Sequence, residues 1–125
     1  MLRRLLLALP LLALAAPASA QQLVESYIAR LGPQDHVNSQ GLRLDTAAGV
    51  IRQDRANFHR YGNRDVEDQP DRYFASPEAR ATLEAMILRG GGDPLVLAEI
   101  VKGTPLVQVE IWRDGRGDWV KISLR

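Results

Sequence analysis

The chain has 125 residues, 16 basic and 15 acidic side chains, a formal net charge of +1 and no cysteine. That length implies one folded domain. The missing cysteines exclude a disulfide scaffold and a cysteine zinc centre, and the balanced charge argues against a basic nucleic-acid binder.

Residues 1–20 (MLRRLLLALPLLALAAPASA) read as an export leader. Arg3 and Arg4 supply a charged start, an apolar run of 12 residues broken by Pro10 follows, and Ala18-Ser19-Ala20 is a small-residue cleavage pattern. The run falls short of the roughly 20 residues a bilayer span requires. Its strong hydrophobicity favours ordinary secretion of an unfolded chain over twin-arginine export. Cleavage after Ala20 would leave residues 21–125 as one small periplasmic or secreted domain, with no membrane span. That domain has 14 basic and 15 acidic side chains, a net charge of −1. Leu, Ile, Val and Phe make up 26% of it, above the roughly 20% below which chains remain disordered.

The first expected element is a helix over residues 22–31. Leu23, Val24, Tyr27, Ile28 and Leu31 fall at helical spacing, and Gly32-Pro33 stops them. Residues 35–41 (DHVNSQG) are turn-rich, and residues 42–44 (Leu42, Arg43, Leu44) alternate as a candidate short strand. Asp45 or Thr46 can cap a helix running to Tyr61 and ended by Gly62, with Ala47, Val50, Ile51, Phe58 and Tyr61 in one apolar stripe. A charged loop, residues 63–72, comes next. Ser76-Pro77 then caps a helix to Arg89, and Gly90-Gly91-Gly92 closes it. Asp93-Pro94 repeats the cap-plus-proline start for a helix to Lys102, ended by Gly103.

At the C-terminus the period changes to two. Residues 106–113 and 119–125 alternate around Asp114-Gly115-Arg116-Gly117, the pattern of an antiparallel hairpin. One register sets Ile111, Val109 and Val107 opposite Val120, Ile122 and Leu124 on a single face. The other face then pairs Glu110 with Lys121 and Trp112 with Trp119. A slip of one residue would turn the apolar set outward. An isolated hairpin is marginal in water, so the helices must cover it. The expected fold class is α+β: about four short helices followed by a C-terminal antiparallel hairpin, with residues 42–44 as a short third strand.

Three clusters could carry chemistry. The first is residues 52–61 (RQDRANFHRY), where Asp54 interrupts the apolar stripe and needs a buried partner. Asp54 and His59 lie about 140° apart around a helix, so they cannot face each other directly, while Arg55 and His59 are i,i+4 neighbours. His36 sits on a loop and could approach in space. The second cluster is Asn63, Asp65 and Glu67 with Asp68 and Asp71, which begins like a calcium loop. It departs at the sixth place (Asp68 for Gly) and the twelfth (Phe74 for Glu), so a solvated loop is the better reading. The third is the Trp112–Trp119 pair, which either packs under a helix or forms an aromatic platform for a glycan or a protein. Arg52, Arg55, Arg60 and Arg64 also form a basic patch that could meet an anionic polymer or lipid.

No phosphate loop, G-x-S-x-G or H-E-x-x-H occurs, and two histidines without cysteine cannot build a closed zinc site, so neither cofactor nor metal is expected. The leading functional expectation is a non-enzymatic binding or accessory module of the bacterial cell envelope. Its binding residues would be Trp112, Trp119, Arg55 and His59, and its partner an envelope protein or anionic polymer. The alternative is a small hydrolase-like enzyme using Asp54 with a histidine, His59 or His36. That enzyme needs Asp54 in an open pocket, and an arginine sealing Asp54 would argue against it.

Overall fold

The computed structural model describes residues 10–13 and 20–125, so most of the expected leader lies outside the described residues. Three antiparallel strands form one sheet in the order β1-β2-β3: β1 (Gln22–Arg30), β2 (Leu106–Asp114) and β3 (Gly117–Leu124). Four helices lie between β1 and β2 in the chain: α1 (Ala47–Ala56), α2 (Pro77–Arg80), α3 (Leu83–Arg89) and α4 (Pro94–Lys102). The fold is α+β. Among the described residues no helix is long and apolar enough to cross a membrane.

The hairpin adopts the register the side chains favour. Ile111 pairs with Val120, Val109 with Ile122, Val107 with Leu124, Glu110 with Lys121 and Trp112 with Trp119. Val107, Val109, Ile111 and Val120 are buried against the helices together with Val50, Ile51, Phe74, Leu83, Met86 and Ile100. Helix starts also follow the sequence. Thr46 accepts a hydrogen bond from the Gly49 amide at 3.0 Å, Ser76 from Ala79 at 3.2 Å and Asp93 from Leu95 at 2.9 Å. Each satisfies a backbone donor that the first helical turn leaves open.

The expected helix over residues 22–31 is instead strand β1, paired with β2 along its length. Its apolar positions fit either period, and pairing decides between them. In a strand, Tyr27 and Ala29 point to the core with Leu31 just beyond, and all three are buried. A hairpin with one open side gains a third strand, and that gain overrides local helical spacing. A bulge between Leu23 and Glu25 shifts the register near the start of β1. Residues 42–44 do not form a strand; a single bridge joins Val37 and Arg43. Two consecutive backbone bonds, from Asn38 to the Leu42 carbonyl and from Leu44 to the His36 carbonyl, close this excursion into a tight loop.

The other helices depart from expectation in detail. α1 ends at Ala56, and the chain continues to Tyr61 as a π-helical turn, Asn57–Tyr61, closed by Gly62 at φ 64°. The helix expected from Ser76 to Arg89 is two short helices, α2 and α3, separated at Ala81 and Thr82. Beyond α3 the chain passes very close to β3. A Cβ on Gly90 would sit 1.9 Å from the Val120 carbonyl oxygen, so this glycine permits the approach of helix and strand.

The two sheet edges differ. The segment after the π-helical turn runs along the outer edge of β1. The Gln69 amide donates to the Ile28 carbonyl at 2.8 Å, Asp68 accepts from the Arg30 amide at 2.9 Å, and the Gln69 side chain accepts from the Ile28 amide at 3.0 Å. Of the acidic cluster expected to be a solvated loop, Asp68 is thus occupied in closing a sheet edge, and Glu67 pairs with Arg30 at 3.2 Å. No strand pairs with the outer edge of β3 among the described residues.

Candidate functional site

The most concentrated polar structure lies where α1, its π-helical turn and the residue 69–74 segment meet. Arg55 is fully buried. Its Nε donates to Asp54 Oδ2 at 2.7 Å, and its Nη1 donates to Asp71 Oδ1 at 2.8 Å and to the Gln69 carbonyl at 3.1 Å. The guanidinium lies between the rings of Tyr27, at 4.1 Å, and Phe58, at 4.6 Å. Arg64 covers Phe58 as well, at 4.4 Å. Two carboxylates and two aromatic faces thus surround the Arg55 charge at short range, where desolvation strengthens each contact.

His59 joins this network through Asp71, not Asp54. Its Nε2 lies 2.7 Å from Asp71 Oδ1, and the other Asp71 oxygen accepts the Phe74 amide at 2.7 Å. Asp71 therefore ties Arg55, His59 and the start of the 3₁₀ turn Tyr73–Ala75 to one carboxylate. In sequence Asp71 was one acid in a charged loop, and nothing in its spacing marks it as the hub. Asp54 is 1% exposed, bonded to Arg55, and lines none of the main cavities among the described residues. The enzyme reading needed that carboxylate in an open pocket beside a histidine, and the geometry does not bring the pair together. Arg55, expected at a binding surface, is an interior residue, and His59 is turned toward Asp71. Both belong to this network.

His36 ends the 3₁₀ turn Pro33–His36 and is buried. Its ring nitrogens lie 2.8 Å from the Gly32 carbonyl and 2.8 Å from the Ile100 carbonyl near the end of α4. The residue pins the turn to α4 and contributes nothing to a site with Asp54.

Beside His36, Asp35 accepts from the Gly32 amide at 3.0 Å and from Asn57 Nδ2 at 2.9 Å. Burial outweighs these bonds, and the nearby Asp65 and Asp68 add to it, so the carboxyl is raised from 3.8 to about 6. Asp54 is raised in the same sense, first by burial. The folded state therefore holds Asp35's proton more tightly than the unfolded chain does. Its contribution to stability is complete below pH 3.8 and is lost as pH rises through about 6. The full shift corresponds to about 3 kcal/mol, which solvent screening reduces to about 1–2 kcal/mol. Urea unfolding at steps between pH 4 and 7 should show that decline, and Asp35→Asn should flatten it; an unchanged slope in the variant would assign the effect elsewhere.

The tryptophans sit apart from all of this. Trp112 and Trp119 stack with ring centroids 5.9 Å apart and 15° between planes. Neither belongs to the core cluster or packs against it. They occupy the sheet face turned away from the helices, with Leu23 of β1 opposite Trp112. Leu23 is 51% exposed. The row Leu23–Trp112–Trp119 crosses all three strands and leads to a cavity of about 540 Å³ at the outer edge of β3. Trp119 lines that cavity with Val96, Leu97, Lys121 and Ile122. Sequence spacing found the pair, but not the groove beside it, because the groove's other wall comes from α4.

No protein-family model matches this chain, and neither a curated protein nor a solved structure is similar enough to indicate what it does.

Proposed function

We propose that this chain is a small exported, non-enzymatic binding module of the cell envelope, and that its contact surface is the aromatic row of the sheet face turned away from the helices with the groove at the β3 edge. The observation that carries this reading is the position of Trp112 and Trp119. Two large aromatic rings lie outside the core, next to an exposed Leu23 and an apolar groove. Contiguous aromatic and aliphatic surface of this kind marks interaction sites more often than isolated exposed residues do. A protein partner suits it better than a polymer. The groove is lined largely by aliphatic side chains, and among the described residues no strand pairs with the outer edge of β3, whose part beyond the Arg89 and Gly90 contacts with Asp118 and Val120 an extended segment could continue. The leader-like residues 1–20 support placing the module outside the cytoplasm.

The test is capture of an envelope partner from native extract by the exported form, compared across variants. Trp112→Ala and Trp119→Ala should each weaken capture about tenfold or more, the loss expected of an interface anchor, with melting nearly unchanged. Equal capture by wild type and both variants would overturn the proposal. Unfolding of either variant would return that tryptophan to a structural role.

A further inference from the structure

The basic patch of the sequence does not survive folding as a unit. Arg55 is consumed in the interior network and Arg64 lies over Phe58, whereas Arg52 and Arg60 stay exposed. These two meet a third arginine from another element. A cleft of about 240 Å³ between α1, its π-helical turn and α2 is lined by Ser39, Arg52, Gln53, Arg60, Tyr61 and Arg80, with Ala56 and Pro77 completing its wall.

Several features set this cleft apart from an ordinary charged face. Arg80 is 5% exposed, yet no carboxylate lies within ion-pair distance of it among the described residues. Its Nη1 donates to two neutral acceptors, the Phe74 carbonyl at 3.0 Å and the Ala75 carbonyl at 3.1 Å. A buried guanidinium without a counter-charge is costly, and the cost falls when an anion reaches it. Neither Arg52 nor Arg60 has an ion-pair partner among the described residues. They lie eight residues apart along one helical face with the small Ala56 midway, which leaves room between them. The π-helical turn widens the backbone where Arg60 and Tyr61 project, and Arg60 sits 5.1 Å from the Tyr61 ring centroid. No acidic side chain lines the cleft. Glu84 lines a smaller cavity that shares Arg52 and Arg80 with this cleft.

We infer that this cleft is an anion site for a phosphate group, held by the convergent guanidinium groups of Arg52, Arg60 and Arg80. Arginine suits this ligand because its planar fork donates two parallel hydrogen bonds to phosphate oxygens. The volume admits one phosphate with a small substituent. The site is distinct from the sheet face, since none of its residues comes from β1, β2 or β3. It therefore does not depend on the tryptophan reading.

The probe is inorganic phosphate, titrated against chloride at matched ionic strength. The readouts are calorimetry and the NMR signals of the arginine Nε–H groups. Phosphate should shift the Arg52, Arg60 and Arg80 signals saturably, and added salt should weaken binding. The double variant Arg52→Ala/Arg60→Ala should lose about tenfold or more in affinity while its melting temperature holds. Both positions are exposed, so the variant tests binding without disturbing the core. Trp119→Ala should bind phosphate like wild type, which separates this site from the proposed partner surface. A second arm uses phosphatidylglycerol vesicles against phosphatidylcholine vesicles. Sedimentation with the former, competed by phosphate, identifies a lipid headgroup as the source; its absence identifies a soluble phosphate compound. Shifts no larger with phosphate than with chloride, or unchanged affinity in the double variant, would overturn the inference.

Discussion

Replacing Arg55 by methionine should lower folding stability by about 3–5 kcal/mol, the cost of leaving a buried charge without its partner. Methionine keeps much of the aliphatic stem and removes the guanidinium. Asp54 then loses its 2.7 Å bond, and Asp71 loses one of its donors at 2.8 Å, in a place where water does not replace them. Contacts with the Tyr27 and Phe58 rings are lost at the same time. Small domains have about 5–15 kcal/mol in total, so the variant should sit near the edge of folding. Urea unfolding followed by circular dichroism measures it. The network reading makes a sharper demand too. Adding Asp54→Asn and Asp71→Asn to Arg55→Met should recover part of the loss, because the stranded charges are then gone. A single-variant loss under about 1 kcal/mol would mean that solvent reaches the cluster after all.

Gly90→Ala should cost about 3 kcal/mol, at the upper end of overpacking effects. The backbone there has φ −75° and ψ −6°, which alanine adopts freely, so the conformation itself carries no penalty. The obstacle is the Val120 carbonyl oxygen, 1.9 Å from where the new methyl would lie. A carbonyl in a paired strand cannot swing aside as a side chain can. The end of α3 must lift from β3, which loosens Ile87 and Met86 against the sheet. Gly92→Ala is the control: its nearest obstacle is the Leu97 Cδ1 atom at 2.9 Å, the far end of a flexible side chain, so the loss should stay below about 1 kcal/mol. Thermal unfolding of the two variants side by side decides it. Equal losses would show that the α3–β3 contact yields readily.

The sheet shows how far local pattern reaches. For β2 and β3, strict alternation with a glycine-containing turn left one register that buries the aliphatic face, and the pairs form as expected. For β1, apolar residues at 23, 24, 27, 28 and 31 suited two periods. What resolved them was the unpaired edge of β2, more than 70 residues away in the chain. The same distance effect hid the cleft and the ion network. Asp71 and Arg80 carry no local mark, because their roles arise from contacts with α1 and its π-helical turn.

The amino-acid order by itself narrowed the first helix cap to Asp45 or Thr46 and determined the caps at Ser76 and Asp93, the hairpin register and the pairing of Trp112 with Trp119, since each depends on neighbours within a few residues or on strict alternation. Tertiary structure decided that residues 22–30 extend into a strand, that Arg55 is an interior cation and not a surface one, and that Arg80 joins Arg52 and Arg60 at a cleft. Those outcomes turn on which groups packing removes from water, and desolvation is a property of the assembled fold that no window along the chain contains.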